Sequence, residues 1–266
     1  MTALFVPPAE PVDPGLLSHA VEVAGRLATD AAEVISATAE GAAGGHPHPF
    51  DWVTDTGRTL ERHTRRVLTA EFAGIPVSGP EYPGGRPAGC RYRWLVTPLD
   101  GTANYRAGLP WYGYGLALVD DAGPVVGVLA DPSRATIYAA ARGRGARANG
   151  VPVRVPERAV THPFPVCVEA SGGPHPPCRP APEMRVLGSP ALAVTQVALG
   201  HASAAVVERH QPWEVAAGLA VAVEAGAVVL DRDGRPDPSP VGALLVAAPW
   251  AVAEVFGWWT AVPPTG

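Results

Sequence analysis

The chain has 266 residues, of which 47% are hydrophobic, and its formal net charge is -5. A chain of this size buries a substantial core, so we expect a soluble globular protein, and the lack of a basic excess argues against binding to nucleic acid or to an anionic membrane. Three cysteines without C-x-x-C spacing fit a reducing cytoplasm, and we expect no signal peptide and no membrane span.

The first 150 residues predict two helices followed by an antiparallel meander. Asp13 and Pro14 form a helix-start signal, and apolar residues follow them at helical spacing. Further along, short apolar runs flank the turn-forming residues 120–123 and 149–150, which indicates strands joined by tight turns. The predicted elements are helices near 14–40 and 56–72 and strands near 92–96, 114–119 and 125–129.

The second half alternates strands and helices, which is typical of a layered α/β fold. We expect one domain over 1–266, with an N-terminal α+β part over about 13–150 and a C-terminal α/β part over 151–266. The predicted elements of the second half are strands near 166–169, 204–207 and 227–230 and helices from about 190, from about 213 and near 251–258.

Three separated segments carry motifs in a fixed order. They are Asp51-Trp52-Val53-Thr54, the run Trp94–Tyr105, and Trp213–Gly218 followed by Glu224–Gly226. These segments resemble the signature regions of the inositol monophosphatase superfamily, whose second and third motifs are W-I-x-D-P-I-D-G-T-x-N-F and W-D-x-A-A-G with E-A-G-G. Gly188-Ser189-Pro190-Ala191 is a supporting match, and the resemblance covers about 15 to 255. It implies an αβαβα sandwich, usually a homodimer, that hydrolyses a phosphomonoester with two or three Mg²⁺ ions.

Several positions that bind metal in the family are altered in this chain. The family's G-E-E region reads Gly79-Pro80-Glu81 here, and the first aspartate of D-P-I-D is Thr97. The family's aspartate at that position bridges two metals, and two dications about 4 Å apart repel by roughly 16 kcal/mol at an effective dielectric of about 20. We therefore expect one weakly bound Mg²⁺ ion at most, or none. The metal ligands that remain are Asp100, Glu214 (in place of the family's W-D aspartate) and Glu81.

The rest of the machinery matches the family more closely. The resemblance implies that Asp51 and Thr102 polarise the attacking water, and we group Thr97 with these catalytic positions. Backbone N–H groups at the start of the helix after Asp100 are suited to receive a phosphate group. The expected substrate-binding residues are Gly101, Thr102, Ala103, Asn104 and, shortly before Trp213, Glu208.

Each ligand assignment has a structural alternative that the sequence leaves open. Asp100 begins a turn and is suited to cap a helix, and Asp51 with Thr54 resembles an N-terminal capping pair. Glu214 lies where a helix dipole favours a carboxylate. Glu81, in a loop rich in glycine and proline, is suited to simple solvation.

Three functions remain open at this point. The leading hypothesis is a divergent enzyme with weak or altered phosphatase activity on a phosphorylated polyol, sugar or nucleotide. The alternative, which Thr97 and Pro80 favour, is metal-independent cyclisation, elimination or isomerisation in the biosynthesis of a specialised metabolite. The third is a non-catalytic binding subunit. The expected partners are a small-molecule substrate and a second copy of the chain, with no nucleic acid and no membrane.

Overall fold

The computed structural model describes residues 10–39, 55–158, 166–169 and 183–261, which form six α-helices and two β-sheets. The helices are α1 (Pro14–Ala39), α2 (Asp55–Glu71), α3 (Thr102–Ala107), α4 (Pro190–Ala198), α5 (Pro212–Glu224) and α6 (Val252–Thr260). The strands are β1 (Val77–Ser78), β2 (Arg93–Asp100), β3 (Gly113–Asp120), β4 (Gly123–Asp131), β5 (Thr136–Ala141), β6 (Gly145–Ala148), β7 (Val151–Val153), β8 (Val166–Glu169), β9 (Met184–Arg185), β10 (Ala204–Val207), β11 (Val228–Asp231) and β12 (Leu244–Ala247).

The first sheet takes its seven strands in sequence order, from β1 to β7. All neighbours are antiparallel except β1 and β2, so the predicted meander is confirmed. The predicted turn between β6 and β7 is formed by Asn149 and Gly150, both with positive φ, which is the conformation that a tight hairpin turn needs.

The second sheet has the order β11-β12-β10-β8-β9, with β10 parallel to β8 and antiparallel to β12. The strands β8 and β10 have the predicted bounds, whereas the sequence analysis assigned no element to β12. All four residues of β12 are buried, so this strand lacks the alternation of polar and apolar residues that marks a half-buried strand.

The sheets and helices form five layers. Helices α1 and α2 pack on one face of the first sheet, α4 and α5 lie between the sheets, and α6 packs on the outer side of the second sheet. The predicted αβαβα order is confirmed. Helix α5 is apolar on every side because it is enclosed by both sheets, and a Cβ atom added to Gly127 of β4 would lie 2.3 Å from Cβ of Ala220. None of the described helices is both long enough and apolar enough to span a lipid bilayer.

Candidate functional site

Two strand ends and the start of a helix bring three acidic residues, two of them predicted, to the space between the sheets. Asp100 is the last residue of β2, and Glu169 is the last residue of β8. Glu214 lies in the first turn of α5. Both Glu214 and Glu169 are close enough to Asp100 to perturb its ionisation. We call Thr97, Asp100, Glu169, Ser189 and Glu214 the inter-sheet site.

Asp100 is 4% exposed and holds the start of α4. Its Oδ2 accepts hydrogen bonds from the Ser189 hydroxyl and from the backbone N–H of Ala191 at 3.1 Å. Ser189 is the N-cap of α4, and its Oγ accepts in turn from the N–H of Leu192. These hydrogen bonds support the interpretation that Asp100 stabilises the start of a helix. The helix is α4, however, and not α3, which follows Asp100 in sequence.

Burial raises the pKa of Asp100 to about 7. The hydrogen bonds from Ser189 and Ala191 favour the ionised form, while the nearby carboxylates Glu214 and Glu169 oppose it. Since the burial effect is the largest of these, Asp100 is poised to change its charge near neutral pH.

Glu169 is a second buried acid at this site, and the sequence analysis assigned it no role. The side chain is 3% exposed, and its carboxylate accepts from the backbone N–H groups of Leu187, at 2.5 Å, and Gly188, at 2.9 Å. Burial raises its pKa to about 7, against the effect of these two donors. Residues 187–191 are thus held from one sheet by Asp100 and from the other by Glu169.

Thr97 is buried, and its hydroxyl is directed to the protein backbone. The Oγ1 atom donates a hydrogen bond to the carbonyl oxygen of Trp213, which joins β2 to the start of α5. A threonine at this position supplies no negative charge. Its hydroxyl proton is already committed to a carbonyl oxygen, so the residue acts here as a link between the first sheet and α5.

Glu214 lies three residues after Gln211, the N-cap of α5. Its Oε2 accepts a hydrogen bond from the N–H of Gln211 at 2.7 Å, which is half of a capping box. The structure therefore supports a capping role for Glu214, and its predicted role as a metal ligand stays a prediction.

Glu81 lies beside Arg58 and near a buried acid, Glu61. Its Oε1 lies 3.6 Å from Nε of Arg58, and its backbone N–H donates to Oε2 of Glu61 at 3.1 Å. Glu61, on α2, is fully buried and is also paired with Arg65. A Cβ atom added to Gly79 would lie only 2.7 Å from Oε1 of Glu61, so a glycine there is required by the close approach of this carboxylate.

The residues predicted to bind phosphate form a compact turn. Gly101 has a φ of +68°, and a Cβ atom there would lie 2.3 Å from the carbonyl oxygen of Trp111. The Thr102 hydroxyl donates to the carbonyl oxygen of Leu99 at 3.0 Å. Ala103, the next residue of the six-residue helix α3, is exposed. The binding roles of all three stay predictions.

Asn104 joins this turn to the segment that Glu169 holds. Its Nδ2 donates to the carbonyl oxygens of Trp111 and Leu187, both at 2.7 Å. The amide nitrogen therefore links two segments of the protein. The predicted contact of Asn104 with substrate stays a prediction.

Glu208 follows β10 and is engaged by two side chains from the second half of the chain. Its Oε1 accepts from Arg232 at 2.8 Å and from the indole N–H of Trp259 at 2.6 Å. The guanidinium of Arg232 also lies over the Trp259 ring. The Glu208 carboxylate is thus bound by two side chains of the protein, and its role as a substrate contact stays a prediction. Asp51, the predicted catalytic partner of Thr102, lies outside the described residues.

The described donor set does not fit a pair of Mg²⁺ ions. No group of three or more histidine, cysteine, aspartate or glutamate side chains is placed to hold a metal ion in the part of the chain that the structure describes. Asp100 and Glu214 accept backbone hydrogen bonds, while Glu81 lies against Arg58. Mg²⁺ pairs need carboxylate oxygens that are directed to the ions.

Sequence reasoning missed Glu61, Glu169 and Ser189. A signal existed for Glu169, since an acidic residue that ends an apolar strand next to a parallel neighbour lies where α/β sheets place functional groups. Ser189 belonged to a recognised motif and directly precedes a proline, which is a helix N-cap signature. For Glu61 the only local signal was Arg65 one turn later on the same helix face.

Comparisons with known proteins agree with this fold. The inositol monophosphatase family model matches residues 15–257. The chain is 32% identical to Nus factor SuhB from Xylella fastidiosa, over 71% of this chain and 72% of that protein. It is 30% identical to inositol-1-monophosphatase ImpA from Mycolicibacterium smegmatis, over 84% and 88%. The solved structure of inositol monophosphatase from Anabaena superposes with a TM-score of 0.77 at 22% identity, covering 93% of this chain and 98% of that one.

Proposed function

Because the chain belongs to the inositol monophosphatase family, we propose that it binds a small phosphorylated metabolite at the inter-sheet site and has weak or altered phosphatase activity. The substrate class is a phosphorylated polyol, sugar or nucleotide. Support for this class comes from ImpA, a relative named as an inositol-1-monophosphatase. The observation that carries the expectation of weak activity is the hydrogen bond from the Thr97 hydroxyl to the Trp213 carbonyl. The resemblance places a metal-bridging aspartate at this position, and a threonine whose hydroxyl is bonded to the backbone does not replace it.

The electrostatics of the site support weak hydrolysis. Bound Mg²⁺ ions supply activated water and neutralise phosphate charge in two-metal phosphatases. Thr97 adds no anion that two cations can share, and the carboxylates near it are used to hold α4, α5 and the 187–191 segment. One weakly bound Mg²⁺ ion is the most that we propose.

Phosphate release and metal binding test this proposal together. Calorimetry with Mg²⁺, with and without inorganic phosphate, measures the number and affinity of the bound ions. Phosphate release from inositol phosphates and generic phosphomonoesters at saturating Mg²⁺ measures turnover, which we expect to be far below about 1 per second. Turnover at or above that value, or two well-occupied Mg²⁺ sites at millimolar metal, contradicts the proposal.

Repair of the family ligands gives a sharper test. We expect Thr97→Asp alone to leave turnover low, because the glutamate of the G-E-E region is still missing. The combined change Pro80→Glu, Thr97→Asp and Glu214→Asp is expected to gain far more than the sum of the single changes, since residues that act as a unit are strongly non-additive. Thr69→Asp, at an exposed position of α2, is the control and is expected to leave turnover unchanged.

Metal-independent chemistry is the second candidate, and the two buried acids favour it. Asp100 and Glu169 have pKa values raised by burial to about 7, the range in which a carboxyl group serves well as a general acid or base. If this candidate holds, turnover of a substrate identified by screening persists in excess chelator and falls when either acid is replaced by its amide. Loss of that turnover on chelation contradicts it.

The third candidate is a non-catalytic binding subunit, and the observation that favours it is that one relative, SuhB, is named as a Nus factor and not as a phosphatase. For this candidate we expect phosphorylated ligands to bind without turnover. We also propose a cytoplasmic homodimer that binds no nucleic acid, which light scattering and titration with oligonucleotides test directly.

A further inference from the structure

Two backbone segments from different halves of the chain meet beside the inter-sheet site. One is the turn of residues 101–104, which the resemblance assigns to substrate binding, and the other is the short segment 187–188 before α4. The amide nitrogen of Asn104 donates to the carbonyl oxygen of Leu187 at 2.7 Å. A Cβ atom added to Gly188 would lie 2.9 Å from the same nitrogen. The two segments are therefore packed directly against each other.

The turn is closely packed on the side that faces this segment. A Cβ atom added to Gly101 would lie 2.3 Å from the carbonyl oxygen of Trp111 and 3.3 Å from that of Gly188. Both N–H groups of the Asn104 amide are used, because the second donates to the carbonyl oxygen of Trp111 at 2.7 Å. A movement of the segment 187–188 would therefore displace the turn as well.

Glu169, the last residue of β8, holds the same segment from the second sheet. Its carboxylate accepts from the N–H of Leu187 at 2.5 Å and from the N–H of Gly188 at 2.9 Å, one to each oxygen. The side chain is 3% exposed, and its hydrogen bonds with the described residues all go to these two N–H groups. A carboxylate offers an acceptor to each N–H group, whereas an amide of the same shape would place an NH₂ group against one of them.

These contacts form a continuous connection from the second sheet to the turn. It runs from Glu169 through the backbone of 187–188 to Asn104, and each link is a hydrogen bond of 2.5 to 2.9 Å. A side chain that supports a binding site from behind affects the site without touching the ligand, because it fixes the groups that do. Removal of such supporting partners at metal sites typically costs about 10- to 100-fold in affinity or activity.

We propose that Glu169 and Asn104 are positioning residues, which hold the turn 101–104 in place through the segment 187–188. They thereby set the affinity of the inter-sheet site for the phosphate group of its ligand. The inference rests on the proposed function, because it takes a phosphorylated metabolite as the ligand. It replaces the predicted contact of Asn104 with substrate by an indirect role, since both donors of the amide are bonded to the protein.

The test is a double-mutant cycle on phosphate binding. Calorimetry with inorganic phosphate at millimolar Mg²⁺ compares the natural protein with Glu169→Gln, Asn104→Ala and the double variant. The control is Asp120→Asn, since Asp120 is another acid at a strand end, is 5% exposed in its side chain and is bound by two nitrogens of Arg142. It ends β3, at the opposite end of the first sheet from Asp100. Thermal unfolding verifies that each variant is folded.

We expect each single variant to bind phosphate about tenfold more weakly than the natural protein. The double variant is expected to bind at most about threefold more weakly than the single variants, because both substitutions break the same connection and their effects do not add. Asp120→Asn is expected to stay within about twofold of the natural protein. Without phosphate, hydrogen exchange over 101–108 should be faster in Glu169→Gln, although that range lies in the other half of the chain.

If Glu169→Gln does not fold, Asn104→Ala breaks the connection at its other end and is compared with Asp120→Asn by the same titration. The proposal is wrong if the folded variants bind phosphate as the natural protein does, or if the control loses as much affinity as they do. Full additivity in the double variant also contradicts it, since two independent contacts with the ligand would give that result. In all of these cases the natural protein still binds phosphate, so the proposed function stands. A natural protein that does not bind phosphate overturns both.

Discussion

The two ends of α5 use charge in opposite ways. At its N-terminal end, the acids Asp100 and Glu169 are buried and hold backbone N–H groups of the 187–191 segment. At its C-terminal end, Arg144, Arg147 and Arg154 are exposed and have no carboxylate partner in the described part of the chain. A buried charge must be satisfied by the protein, so it becomes part of the fold, whereas an exposed charge is solvated by water and is free to bind a ligand. Substitutions at the two ends should therefore affect different properties.

The largest effect is expected for Asp100→Ala. The change leaves the Ser189 hydroxyl and the Ala191 N–H buried without their acceptor, and unsatisfied buried donors cost about 1–3 kcal/mol each. We expect the free energy of unfolding to fall by about 4 kcal/mol at pH 4, where Asp100 carries its proton in the folded protein. The loss should be smaller at pH 6, because the raised pKa of Asp100 already lowers the stability of the natural protein there, and urea denaturation at both pH values measures it. Asp233→Ala, which removes an exposed acid, is the control and should change stability by less than about 0.5 kcal/mol. A loss below about 1 kcal/mol for Asp100→Ala would show that this acid is not needed for the fold.

Glu169→Gln tests the pH dependence of the buried acids. The pKa of Glu169 rises from 4.5 to about 7 on folding, so the folded protein binds more protons than the unfolded chain between these values. The natural protein should therefore lose stability as the pH rises from 4.5 to 7, by up to about 3 kcal/mol from this group. We expect the variant to lack this contribution, so the stability of the variant relative to the natural protein increases with pH over that range. Denaturation curves at pH 5, 6, 7 and 8 measure the difference, and a constant difference contradicts the assigned pKa.

Thr97→Val should have a smaller effect on stability. The substitution keeps the shape of the side chain and removes the hydrogen bond to the Trp213 carbonyl, which is worth about 1 kcal/mol. Thr29→Val, at an exposed position of α1, removes a hydroxyl that donates to the carbonyl oxygen of Gly25. This control is expected to stay within about 0.5 kcal/mol of the natural protein. Equal effects at both positions would mean that the link from β2 to α5 contributes nothing specific.

The smallest effect on stability is expected for Arg154→Gln. The side chain is exposed and has no partner among the described residues, so the free energy of unfolding should change by less than about 0.5 kcal/mol. A stability loss above about 1 kcal/mol would show that the Arg154 side chain makes contacts that stabilise the fold.

Much of the architecture could be predicted from local patterns. The strands β8 and β10 were predicted with their observed bounds, and α2 was predicted within one residue at each end. The strand β12 was missed because a short buried apolar run has no periodicity of its own. The roles predicted for the site residues stay predictions, although Asp100 and Glu214 do lie near each other, and the sequence analysis found neither Glu169 nor Glu61.

The sequence by itself determined the family and the order of the layers, and it predicts altered residues at the positions of the family's metal ligands. These follow from residue types at fixed spacing along the chain, which are visible without any contact. Only the tertiary structure decided what each charged group touches, because the partners are distant in sequence. Ser189 lies 89 residues from Asp100, and Trp213 lies 116 residues from Thr97. A hydrogen bond depends on distance and angle between atoms that only the folded sheets bring together, so the structural use of these side chains could not be inferred from their motifs.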